Sequence, residues 1–154
     1  MPSVLTHSFR PATEADLPFL LALRLATMAP HFVRQGVAMT EADHRQRAEL
    51  RLDAASIIEI DGRAAGLLKL LRDDAIWTIE QLQVAPDHQG RGIGSTVLRE
   101  IIAEACASGA LLQLKVLKRN PAVRLYARLG FRTQSESEHS YRMIFFGAEA
   151  CGDS

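Results

Sequence analysis

The sequence predicts a mixed α/β fold: a mostly antiparallel sheet, one parallel strand pair, and helices on both faces. Three observations carry this. Segments with the two-residue period of strands are interspersed with segments of helical period along the chain. Three strand-like runs between 56 and 84 are separated by tight turns, which makes an antiparallel meander. The last of them is followed by a glycine-rich loop, a helical segment and another strand-like run. Such a crossover sets the fourth and fifth strands of the chain parallel. At 154 residues the chain suits one core, so a single domain over 1–154 is expected, with its core at about 6–146 and a small, polar tail over 147–154.

Each element has a local reason. Residues 6–10 read as a strand that Pro11 stops. Thr13 and Asp16 have capping-box spacing, and Leu17, Leu20, Leu21 and Leu23 to Leu25 supply the apolar stripe of a helix that Pro30 ends. The polar stretch 40–52, rich in Glu, Arg and Ala, reads as a second, more exposed helix. Strands over 56–60 and 63–71 flank Asp61-Gly62, a strong hairpin signal, and Asp73-Asp74 marks the next turn. In the strand over 75–84 the bulky apolar residues change parity: Trp77 and Ile79 are odd, Leu82 and Val84 even. A strand has a strict period of two, so a bulge near Glu80-Gln81-Leu82 is expected to restore one face.

A helix over 93–108 follows, with Val97, Leu98, Ile101, Ile102 and Ala105 on one face and Gly109 as its stop. Leu112, Leu114 and Val116 alternate in a strand over 111–117. Asn120-Pro121 reads as an N-cap and a first-turn proline for a helix over 121–129 that ends at Gly130. A hairpin over 131–137 and 139–146 closes the fold.

Composition narrows function by exclusion. Eighteen basic and eighteen acidic side chains cancel, and the chain is 47% hydrophobic and 23% charged. No general basic field is present for nucleic acid or an anionic membrane. No run is long enough to span a bilayer, the start lacks a signal-peptide pattern, and cytoplasm is the expected location. Cys106 and Cys151 are too far apart to read as a disulfide framework or metal cluster. The five histidines have no metal-ligand spacing, so no metal is expected.

The informative loop is Gln89-Gly90-Arg91-Gly92-Ile93-Gly94. It follows a strand and opens a helix, where unpaired N–H groups and the helix dipole make a site for phosphate or pyrophosphate. It is not a P-loop, because Gly94 is followed by Ser95 and Thr96 without a lysine. It is not a dinucleotide fingerprint, because Ser95 stands where the last glycine belongs.

These residues resemble the Gcn5-related N-acetyltransferase (GNAT) family, whose hallmark is a Gln/Arg-x-x-Gly-x-Gly/Ala loop between strand and helix. The approach Leu82-Gln83-Val84-Ala85-Pro86-Asp87-His88 is similar to the family's strand end and turn. The block from Asn120 to Phe131, with Asn120, Tyr126 and Gly130-Phe131, is similar to the family's later helix. Together the blocks and topology cover nearly the whole chain.

The resemblance implies acetyl-coenzyme A as donor and a primary amine as acceptor: a small molecule, a peptide N-terminus or a lysine. It implies that Gln89, Gly90, Arg91, Gly92, Ile93, Gly94 and Ser95 hold the pyrophosphate, that Leu82, Gln83 and Val84 pair with the pantetheine arm, and that Asn120 contacts the cofactor besides capping its helix. The Val84 N–H becomes the oxyanion donor. Glu80 becomes the general base for an amine of ordinary pKa about 10.4; its other reading is a solvent-facing or arginine-paired strand residue. Tyr126 becomes the acid that protonates the leaving thiolate; its other reading is a core aromatic beside Leu125 and Leu129. The side chains of Arg91, Lys115, Lys118 and Arg119 read as phosphate partners or as a solvated face, and His31 and Phe32 as acceptor-pocket or plain loop residues.

With no cysteine at a nucleophile position, direct attack in a ternary complex is expected. The alternative is a non-catalytic acyl-coenzyme A sensor. A homodimer through the C-terminal strands is a further expectation from similar proteins.

Overall fold

Residues 6–145 are described by the computed structural model. Among the described residues, five α-helices and seven strands follow the order β1 (His7–Pro11), α1 (Leu17–Thr27), α2 (Ala29–Gln35), α3 (Glu41–Glu49), β2 (Ala55–Ile60), β3 (Arg63–Asp73), β4 (Ile76–Val84), α4 (Ile93–Ser108), β5 (Leu111–Leu117), α5 (Ala122–Leu129), β6 (Phe131–Glu136) and β7 (Ser140–Phe145). One sheet holds all seven strands in the order β1-β2-β3-β4-β5-β7-β6. Only the β4–β5 pair is parallel, as the crossover required. The expected end of the last strand at Phe146, and the tail, lie outside the described residues.

Local chemistry sets the joints. The β2–β3 hairpin turns on Asp61 and Gly62, both left-handed at φ 53° and 77°, the conformation a two-residue hairpin needs. Thr40 caps α3, accepting from the Asp43 N–H at 3.1 Å while the Asp43 carboxylate accepts from the Thr40 N–H at 2.9 Å. The analogous carboxylate of Asp16 accepts from the Thr13 N–H at 2.8 Å and opens α1 through a 3-10 turn. Pro30 departs from expectation. It sits in the first turn of α2 and begins a helix, because an N-terminal turn does not use the missing N–H. Gly36, at φ 76°, ends that helix.

Apolar residues collect on both faces of the sheet. Under α4 and α5, Val97, Leu98 and Ile101 pack with Trp77, Ile79, Leu112, Leu114 and Phe131. Under α1 and α3, Leu20, Leu23 and Ala48 pack with Ala55, Ile57 and Leu67. The parity change in β4 is a bulge: Lys69 pairs with Gln81 and Leu70 with Ile79, leaving Glu80 as the extra residue. Trp77, Ile79, Leu82 and Val84 thereby all join the α4 face. A second bulge, at Ala65 of β3, lies between the Ile58–Gly66 and Glu59–Ala64 pairs.

Candidate active site

The parallel seam is short. β4 pairs with β5 only from Ile76–Leu111 to Ile79–Leu114. Beyond the Glu80 bulge the two strands part, and a cavity of about 290 Å³ opens between them. Glu80, Leu82, Gln83, Asn120 and Tyr126 line it, with Arg24, Phe32 and Lys69. Glu80 also borders an adjoining hollow of about 400 Å³. The Glu80 carboxylate is exposed and forms no ion pair or hydrogen bond among the described residues, so the arginine-paired reading is not realised. Tyr126 meets Phe131 edge-on at 5.8 Å. Burial pushes its phenol pKa up, and no described residue hydrogen-bonds its hydroxyl. It is therefore both a packing residue and a protonated group on the cavity wall.

The end of β4 is open on the cavity side. The Ala85 N–H reaches the Ala65 carbonyl of β3 at 2.7 Å. Alternation along a strand then turns the Val84 N–H the other way, toward the gap. The Val84 carbonyl on that side accepts from Gln89 Nε2 at 2.9 Å. Gln89 thus ties the glycine loop to the strand end, a role its sequence position did not reveal.

The loop fits an anionic ligand in its own geometry. Gly90 and Gly92 are left-handed, at φ 79° and 76°, which favours glycine. The first bond of α4 runs from the Thr96 N–H to the Gly92 carbonyl at 3.0 Å, so the N–H groups of Ile93, Gly94 and Ser95 precede it without helical partners. At Gly94 a Cβ would meet only Val84 Cγ2, at 3.8 Å; the space before it is open. The Ile93 side chain is buried in the core, leaving its backbone alone available to a ligand. Arg91 is exposed.

The other candidates divide. Asn120 Oδ1 accepts from the Ala122 N–H at 2.9 Å, so it caps α5 while lining the cavity. Lys118 pairs with Glu136 at 3.4 Å. The Arg119 guanidinium donates to the Arg34 carbonyl at 3.2 Å, and its backbone N–H donates to Gln35 Oε1 at 2.9 Å. Both are held by the protein; Lys115 alone of that basic set faces the cavity. Phe32 reaches the cavity, whereas His31 contacts Arg34 and does not line it.

The burial of three polar side chains escaped sequence reading. Arg24 is 3% exposed and its Nε donates to His44 Nδ1 at 2.9 Å. The signal was its place four residues after Leu20, on the buried stripe. Lys69 donates to the carbonyls of Arg47, Ala48 and Leu50 at 3.1, 3.5 and 2.5 Å. Burial, with Arg24 next in strength, pushes its pKa down to about 8. Gln83 is 5% exposed and its Oε1 has no hydrogen-bond partner. Among the described residues no cluster of three or more His, Cys, Asp or Glu side chains is placed to hold a metal, and no helix is long and apolar enough to cross a membrane.

An acetyltransferase (GNAT) domain model matches residues 53–133, more than half of the chain. The chain belongs to this acyltransferase family. The match takes in β3, the bulged β4, the glycine loop and α5. Streptothricin acetyltransferase of Streptomyces lavendulae is 39% identical over 43% of this chain and 42% of its own length, so the similarity spans less than half of that relative.

Solved structures share the fold across nearly the whole chain. An acetyltransferase from Thermus thermophilus superposes with a TM-score of 0.71 at 24% identity, over 92% of this chain and 97% of its own. The PaiA N-acetyltransferase of Thermoplasma acidophilum, solved with coenzyme A, gives 0.70 at 14%, over 92% and 99%. The ribosomal-protein-S18-alanine N-acetyltransferase of Escherichia coli gives 0.68 at 20%, over 91% and 93%.

Proposed function

We propose that the protein transfers an acetyl group from acetyl-coenzyme A to a primary amine by direct attack in a ternary complex. The observation that carries this reading is the parting of β4 and β5 at the Glu80 bulge, which opens a cleft lined by Glu80, Leu82, Gln83, Asn120 and Tyr126 just before the β4 end that leads through the glycine loop into α4. The coenzyme A complex of the Thermoplasma acidophilum relative supports the donor. The thioester supplies an activated carbonyl; the rest is the chain's own work.

Backbone N–H groups of the loop and of Ile93, Gly94 and Ser95 hold the pyrophosphate, with Arg91 beside them. Leu82, Gln83 and Val84 offer an open strand edge to the pantetheine arm, and Asn120 flanks it. Glu80 takes the proton of the attacking amine, directly or through water. The Val84 N–H donates to the oxyanion. Tyr126 returns a proton to the departing sulfur. A homodimer through the C-terminal strands belongs to the same reading, and sedimentation velocity tests it.

Thiol release from acetyl-coenzyme A over a panel of amines tests the chemistry. Glu80→Gln is expected to lower kcat by about 10²-fold or more, and Tyr126→Phe to lower kcat, both with coenzyme A affinity intact. Tight binding with no turnover on any amine would instead favour the sensor reading.

A further inference from the structure

The half of the cavity walled by α1, α2 and α3 carries a one-sided charge. Arg24, Arg47, Arg51, Lys69 and Lys115 line the cavity against one carboxylate, Glu80. Two of these cations are engaged within the protein: Lys69 by the three carbonyls at the end of α3, and Arg51 by Asp53 at 3.1 Å. Lys115 and Arg47 are exposed to solvent.

Arg24 shares the burial of Lys69 but has none of its carbonyl partners. It is buried, its one side-chain hydrogen bond goes to a neutral ring nitrogen of His44, and it lies 5.6 Å from the centre of the Phe32 ring. It forms no ion pair among the described residues. Burial, reinforced by Arg47, pushes its pKa down to about 10. The guanidinium therefore stays charged at neutral pH, and no anion among the described residues offsets its desolvation. His44 occupies Nε, which leaves the Nη edge for a ligand.

Gln83, on the same cavity, has the opposite need. Its buried Oε1 lacks a donor. An unpaired cation and an unpaired acceptor on one cavity are complementary to a molecule that brings an anion and an N–H together.

We infer that the acceptor is a small amine that also carries a carboxylate, an amino-acid-like zwitterion whose carboxylate meets the Nη edge of Arg24 and whose N–H meets Gln83 Oε1. This names the substrate class of the site proposed above and rests on that reading for the fate of the amine. A polyamine is disfavoured by the same geometry, because its extra ammonium groups would face Arg24 and Arg47.

Calorimetric titration of the protein saturated with coenzyme A tests the inference, using L-amino acids each beside its amide and its decarboxylated amine. The carboxylate member of at least one pair is expected to bind at least tenfold tighter. Arg24→Met should abolish that margin and Arg24→Lys keep part of it, with coenzyme A affinity unchanged in both. If Arg24→Met does not fold, the wild-type pairs and Arg24→Lys decide.

Equal binding of acid and amide, a preference for the decarboxylated amine or for spermidine, or no binding of any acid at millimolar concentration would overturn the inference. So would equally tight binding of a tripeptide amide beginning with Asp, which would assign the carboxylate to a peptide chain. Coenzyme A binding is titrated separately. Its failure sinks the acetyltransfer reading, while an acid-over-amide preference without it leaves the charge complementarity standing.

Discussion

At Gly94 neither strain nor crowding within the protein demands glycine. Its φ is not left-handed and a Cβ there would make one ordinary contact, with Val84. The residue lies in the first turn of α4, where alanine is the better helix former by about 0.5–1 kcal/mol. Gly94→Ala is therefore expected to leave the unfolding free energy unchanged or slightly higher, while the methyl group intrudes on the pyrophosphate and weakens coenzyme A binding at least tenfold. Urea melts and calorimetric titration separate the two effects; an unchanged affinity would remove Gly94 from the phosphate site. Glu80 was legible at this scale because a strand cannot change parity without an extra residue. Arg24, Lys69 and Gln83 were not, because their burial depends on which helix covers which face, a property of tertiary packing that no local pattern carries.

Among the elements, β3 and β4 are fitted to each other with little slack. A Cβ on Gly66 would stand 2.4 Å from the Gln83 carbonyl oxygen, a backbone atom that cannot swing aside. Gly66→Ala is expected to cost about 1–3 kcal/mol and to displace β4 at the strand end that bounds the cleft, so that thermal stability and coenzyme A affinity fall together. A variant that loses neither would show that the two strands adjust freely. The strands, their turns and the bulge of β4 were readable because each leaves a local mark: alternation, an Asp-Gly turn, a broken period. α2 was missed because a proline that ends one helix and a proline that begins the next look alike in sequence. Only the chain's return toward β5, where Arg119 grips the Arg34 carbonyl, distinguishes them. The bulge of β3 was hidden because Leu67 and Leu68, just after it, are both buried, on opposite faces, which blurs the alternation that would expose it.

Across the whole molecule, one ion cluster joins the first strand to the rest. Arg10 donates to Asp16 at 2.8 and 2.9 Å and to Glu59 at 3.0 Å, tying β1 to the start of α1 and to β2. The Arg10 hydrogen bonds hold the Asp16 carboxyl down to about 2, from an ordinary value near 3.8. The folded state thus keeps this carboxylate ionised where the unfolded chain takes up a proton. Its contribution is whole above about pH 4 and is lost as pH falls toward 2. The denaturation midpoint of the wild type should drop more steeply between pH 4 and 2 than that of Asp16→Asn, and parallel curves would refute the assignment.

The sheet itself has a weak join. Four residue pairs are all that connect β4 to β5, so the β1–β4 and β5–β7 halves share a short seam and then diverge. Under the proposed reading, an extended pantetheine arm lodged in that gap would act as a missing rung between them. Melting temperature should therefore climb with coenzyme A concentration, and amide exchange at Leu82 and Val84 should slow when the gap is filled. Under the proposed reading, departure of the spent carrier would loosen the same join and leave the catalyst at its most pliant between one turnover and the next.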